Sequence, residues 1–137
     1  DRSRLRATCR SSVILHLLER GEWNEFVRTG LHRPASLGIE GFVHCTGDDD
    51  LMLDVAERFY RSMNDPVVIT LDERRLTSPT RWEPPAPLPA DWKGAPLFPH
   101  VYGPLELAAV TLVRHLQRDA DGRFVGYDVE ADSRPTA

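Results

Sequence analysis

Seven of the chain's eleven prolines fall between positions 79 and 99: Pro79, Pro84, Pro85, Pro87, Pro89, Pro96 and Pro99. A proline ring fixes φ and removes the amide donor, so this stretch is expected to hold neither a long helix nor a central strand. Trp82, Trp92, Leu97 and Phe98 lie inside it. A proline-rich segment with large apolar anchors reads as an ordered loop laid across the rest of the fold, because a long loop in a compact domain is usually functional or pinned.

Regular elements must therefore lie on either side. Val13 to Leu18 is a short β-branched apolar run and reads as a first strand. Glu22 to Arg28 places Trp23, Phe26 and Val27 on one helical face, with Gly30 as the stop. After a loop through Pro34 and Gly38, Phe42 to Thr46 reads as a second strand. Thr46 or Asp48 then caps a helix ending near Arg61, whose face carries Leu51, Val55 and Phe59, joined by Met52 and Ala56. The acidic run Asp48-Asp49-Asp50 suits that helix's positive end. Val67 to Leu71 is a further strand. Val110 to Leu116 and Arg123 to Val129 form a hairpin through the turn Asp119 to Gly122. These elements predict one α+β domain over residues 13–130, with two or so short helices.

At 137 residues the chain matches the common size of one domain, able to bury roughly 68% of its unfolded surface. Its 41% hydrophobic and 28% charged residues are a globular balance. No apolar run reaches the length of a membrane span, and no leader pattern is present, which makes the cytoplasm the expected compartment. The two cysteines, Cys9 and Cys45, give no disulfide framework. A net charge of −4 argues against a nucleic-acid partner. Arg2, Arg4, Arg6 and Arg10 make residues 1–12 a basic arm, expected to be solvated, and residues 131–137 read as a tail.

Chemistry is expected where histidines enter apolar runs, which three of the five do: His16, His44 and His100. Alternation along a strand puts His44 on one face with Phe42 and Thr46, while Val43 and Cys45 face the other way. The same rule pairs His100 with Tyr102. His44, His100 and Tyr102 are thus expected to line one cleft, with Trp82 and Phe98 as a wall. Each residue alone is as well explained by structure: a hydrogen-bonded histidine in a strand, an amphipathic core tyrosine, or a Glu83 paired with an arginine. His32 and His115 read as surface or structural. The spacing of His16, His44 and His100 matches no compact metal motif, so no metal is expected. No glycine-rich phosphate loop or nucleophile elbow occurs.

The blocks Ile14-Leu15-His16, Glu22-Trp23, Glu40 to Thr46, Arg81-Trp82-Glu83 and Phe98 to Leu105 resemble, in that order, a bacterial family of domains of unknown function, family 952. The likeness runs from about Val13 to Val113. A more distant resemblance is to the ADP-ribosyltransferase fold, which implies a small split mixed or antiparallel sheet and an NAD cleft. It implies that His16 holds the cofactor ribose, that Gly41 to Thr46, with Phe42 and Thr46, is the second-strand block, and that Tyr60 sits in the cofactor site near the place of the aromatic that stacks on nicotinamide. Glu83 or Glu106 would be the catalytic acid. His44 is similar to the second histidine of the branch that removes a 2′-phosphate from RNA. The resemblance thus implies an enzyme binding NAD or ADP-ribose, with His16, His44, His100, Tyr102 and Glu83 as catalytic candidates. Two alternatives stay open: a non-catalytic ligand-binding or interaction module, and a small-molecule enzyme using a histidine pair for acid–base work.

Overall fold

The computed structural model describes residues 13–85, 92 and 94–131. The basic arm, residues 132–137 of the tail, and Pro87 and Pro89 lie outside the described residues. The chain forms strands β1 (Val13–Glu19), β2 (Leu31–His32), β3 (Val43–His44), β4 (Pro66–Asp72), β5 (Thr80–Glu83), β6 (Phe98–Val101), β7 (Leu105–Glu106), β8 (Val110–Arg118) and β9 (Phe124–Val129). Its helices are α1 (Arg20–Thr29), α2 (Ala35–Glu40) and α3 (Asp49–Phe59). The strands make a four-stranded sheet ordered β1-β4-β8-β9, a three-stranded sheet β3-β6-β5 and the short pair β2-β7. Every pairing between these strands is antiparallel. The split α+β architecture is as expected: of the mixed and antiparallel alternatives the sheets are antiparallel, and the two or so helices are three among the described residues.

The large sheet is buried on both faces. Along β4, Val67, Ile69 and Leu71 join Ile14, Leu18, Trp23 and Phe26 in one core cluster, whereas Val68 joins Leu15, Met52, Ala56 and Phe124 in a second. The period-two alternation of a strand produces this division. A central strand covered on both sides loses the polar alternation of a half-exposed one, which is why Val67-Val68-Ile69 reads as an unbroken apolar run. Helix α1 stops at Gly30, whose φ of 83° is left-handed and open to glycine. The Asp48 side chain caps α3 by accepting from the Leu51 amide at 2.7 Å.

Two expectations are corrected. The proline-rich segment does carry a central strand, since β6 with Pro99 lies between β3 and β5. The ladder tolerates the proline because Pro99 turns its acceptor toward β3, where its carbonyl takes the Cys45 amide at 3.1 Å. No amide can be returned from the ring nitrogen, so the β3 pairing ends after His44. The chain then crosses to the large sheet through one bridge, Leu15 with Thr46, with two amide–carbonyl bonds of 2.8 Å. The second correction is α2, placed where a loop was expected. Pro34 at its N-cap and Gly38 inside it hide a helix only six residues long.

Candidate active site

Beside the Leu15–Thr46 bridge lies a cleft of about 420 Å³, lined by residues of both larger sheets. This volume is within the usual range of small-ligand sites. His16, His44, His100, Thr46 and Tyr60, all singled out from the sequence, line it. His32 does too, which corrects the reading of that residue as merely surface or structural.

The histidines are held by different partners. His16 is buried, and its Nδ1 lies 2.8 Å from the His44 carbonyl oxygen. A carbonyl only accepts, so Nδ1 carries the proton and Nε2 of the neutral ring is a bare acceptor. That Nε2 is buried without a hydrogen-bond partner, as is the Nε2 of His32, and the two rings stand 5.2 Å apart. Burial, then the neighbouring His32, pushes the His16 pKa down to about 3. Burial also lowers that of His32.

His44 and His100 each lean on a carboxylate. His44 Nε2 meets Glu40 Oε1 at 2.9 Å, placed by the last turn of α2. His100 Nδ1 meets Glu83 Oε1 at 2.8 Å across the β5–β6 ladder. The two rings are 5.5 Å apart, edge to face. With Nδ1 donating to Glu83, the Nε2 of His100 is the ring nitrogen that Glu83 does not engage.

Behind them sits the remainder of the expected set. Phe42 stacks on His100 at 4.1 Å and lies tilted against His44 at 4.8 Å, so it backs the pair rather than lining the cleft. The Tyr102 hydroxyl donates to the same Glu83 oxygen at 2.5 Å. These donors, Tyr102 first and His100 second, hold the Glu83 carboxyl below the ordinary carboxylate range, and the carboxylate in turn raises the Tyr102 hydroxyl. Neither Tyr102 nor Glu83 touches the cleft. Both are hydrogen-bonded into it through His100. Glu106 is away from it, accepting from the Thr77 amide and hydroxyl. Burial, with Glu40 and Glu22 nearby, raises the Tyr60 phenol.

The apolar wall differs from expectation. Phe98 lines the cleft, but Trp82 packs over Gly47 instead, where a Cβ would lie 2.9 Å from the indole. Trp92 takes the role assigned to Trp82, with its ring 5.6 Å from Phe98 and 6.3 Å from Phe59. On α3, Met52 and Ala56 make the core contact, while Val55 and Phe59 of the expected core stripe turn to the cleft. The stripe itself was the signal: α3 carries more apolar residues than one core face uses.

No group of three or more His, Cys, Asp or Glu side chains among the described residues is arranged to hold a metal ion. No described helix is long and apolar enough to cross a membrane. Residues 17–113 match the model of the family described as "Protein of unknown function (DUF952)". No curated protein matches the chain. The crystal structure of protein CC0527 from Caulobacter crescentus is similar at 26% identity and a TM-score of 0.68, over 82% of this chain and 93% of that one. Its solution structure gives 26% identity and a TM-score of 0.63, over 81% and 90%.

Proposed function

The chain belongs to the DUF952 family, and for this member we propose an enzyme that binds NAD or ADP-ribose between its sheets and transfers a ribosyl group. One observation carries the reading. His16, Thr46 and Tyr60, which the distant likeness assigns to cofactor binding, meet His44 and His100 in one cleft. In this scheme the C1′–nitrogen bond of the ribosyl group breaks and nicotinamide leaves with the electron pair. The Glu40 carboxylate, which lines the cleft where Glu83 does not, faces the oxocarbenium-like charge. His16 Nε2 accepts from a ribose hydroxyl. An incoming hydroxyl or water bonds to C1′ and gives its proton to His100 Nε2, with Glu83 orienting that ring.

Thermal melts test the reading. A ligand at 100 times its dissociation constant stabilises the native state by about 2.7 kcal/mol, roughly 8 to 15 °C for this length. NAD or ADP-ribose should shift the wild type, with a reduced shift in His16→Ala and His44→Ala, and nicotinamide should be released over hours. A well-folded sample unmoved by millimolar ligand would sink it. A second reading, acid–base chemistry on another small molecule, is favoured by the two His–carboxylate pairs, whose imidazole rings lie 5.5 Å apart. Ligand binding without turnover would instead indicate a non-catalytic module.

A further inference from the structure

Resting on the nucleotide reading of this cleft, we propose that His32 is a second ribose-binding residue, which with His16 takes the 2′- and 3′-hydroxyls of the nicotinamide ribose and makes the cleft select ribo over deoxyribo ligands. The distant likeness gives the ribose to His16 alone, and the partnership with His32 comes from the fold. Both histidines line the cleft, each only 6% exposed. Their rings stand 5.2 Å apart, and neither Nε2 has a hydrogen-bond partner among the described residues. Buried polar atoms are nearly always paired, because an unpaired one has given up its bond to water for nothing. Two neighbouring exceptions in one cleft wall mark a place where a ligand completes the bonding.

The chemistry of the two rings selects a pair of hydroxyls. His16 donates from Nδ1 to the His44 carbonyl at 2.8 Å, so its Nε2 is an acceptor that needs a proton from the ligand. Burial lowers the His32 pKa, so at neutral pH that ring holds one donor and one acceptor. A hydroxyl both donates and accepts, and it satisfies the His32 Nε2 in either tautomer. Ribose carries two such groups on adjacent carbons, one for each ring. The reacting ribose is the one concerned, because Glu40 and His100, assigned above to its C1′, line the same cleft. The place of His32 is set by the pairing of β2 with β7, opposite Leu105, and by stacking on the buried Phe26 at 5.5 Å. An apolar ring would serve that packing without burying an unpaired nitrogen.

Calorimetric titration of NAD, and of analogues lacking the 2′- or the 3′-hydroxyl of the nicotinamide ribose, decides the matter. The wild type is expected to bind each analogue about tenfold more weakly than NAD, a factor that corresponds to about 1.4 kcal/mol. In His32→Phe, which keeps a ring against Phe26, one of the two penalties should vanish while the other remains, a result that altered packing alone would not give. His32→Gln, whose amide donates and accepts, should restore it, and circular dichroism verifies the folding of both variants. Either analogue bound by the wild type as tightly as NAD overturns the proposal and leaves the nucleotide reading standing. So do two penalties that both persist in His32→Phe. Failure of NAD and ADP-ribose alike to bind the wild type removes both.

Discussion

A single carboxylate oxygen, Glu83 Oε1, takes both the His100 imidazole and the Tyr102 hydroxyl. Two donors on one acceptor favour its ionised form, and the tyrosine is the larger influence. In Tyr102→Phe the Glu83 carboxyl should therefore titrate nearer its ordinary value. Carbon-13 NMR of the side-chain carboxyl would read the change, and an unmoved midpoint would show that His100 alone sets it. At this scale the sequence was informative about company but not about direction. Strand alternation placed His44 with Phe42 and His100 with Tyr102. It gave no sign that Phe42 and Tyr102 stand behind the histidines, because which side of a small sheet faces a ligand depends on what packs over it. His32 was missed because a two-residue strand carries no periodicity.

Among elements, the turn after β6 depends on a close approach. A Cβ at Gly103 would lie 2.7 Å from the Ser78 Cβ, closer than real carbon contacts allow. Gly103→Ala should destabilise the protein by about 1–3 kcal/mol, the usual range for overpacking. Adding Ser78→Gly should recover most of that loss in a urea melt, and a double variant no better than the single one would rule out this contact as the cause. The long strands β1, β4, β8 and β9 and helices α1 and α3 were legible because each holds a sustained apolar pattern and a recognisable cap or turn. Helix α2 and strand β6 were not. Pro34, Gly38 and Pro99 are residues that local preference excludes, and each is accommodated by something non-local: a helix too short for its glycine to matter much, and a ladder that needs only the carbonyl of its proline.

For the molecule as a whole, the neutral His16 ties stability to pH. Its folded pKa, near 3, lies below the unfolded value of 6.5. Between those values the unfolded chain holds a proton that the folded one does not, so the contribution is fully present above pH 6.5 and is lost as pH falls toward 3. His32 acts in the same direction. The slope attributable to His16 is up to about 1.4 kcal/mol per pH unit. His16→Asn, whose amide can replace the Nδ1 donor, should flatten the urea-derived stability curve between about pH 6.5 and 4.5. Equal slopes in the two proteins would mean that His16 is charged in the fold. The bridge and the sheet order have another consequence, for the time course of folding. The cleft's walls pair His16 with Ile69 and His44 with His100, and β2 waits for β7. Loops of such length must close before their contacts give any return, so folding falls toward the millisecond-to-second regime of non-local β topologies. A nascent chain that has not yet reached Phe98 holds His16 and His44 with no β6 to set them against, so the cleft is among the last features to appear.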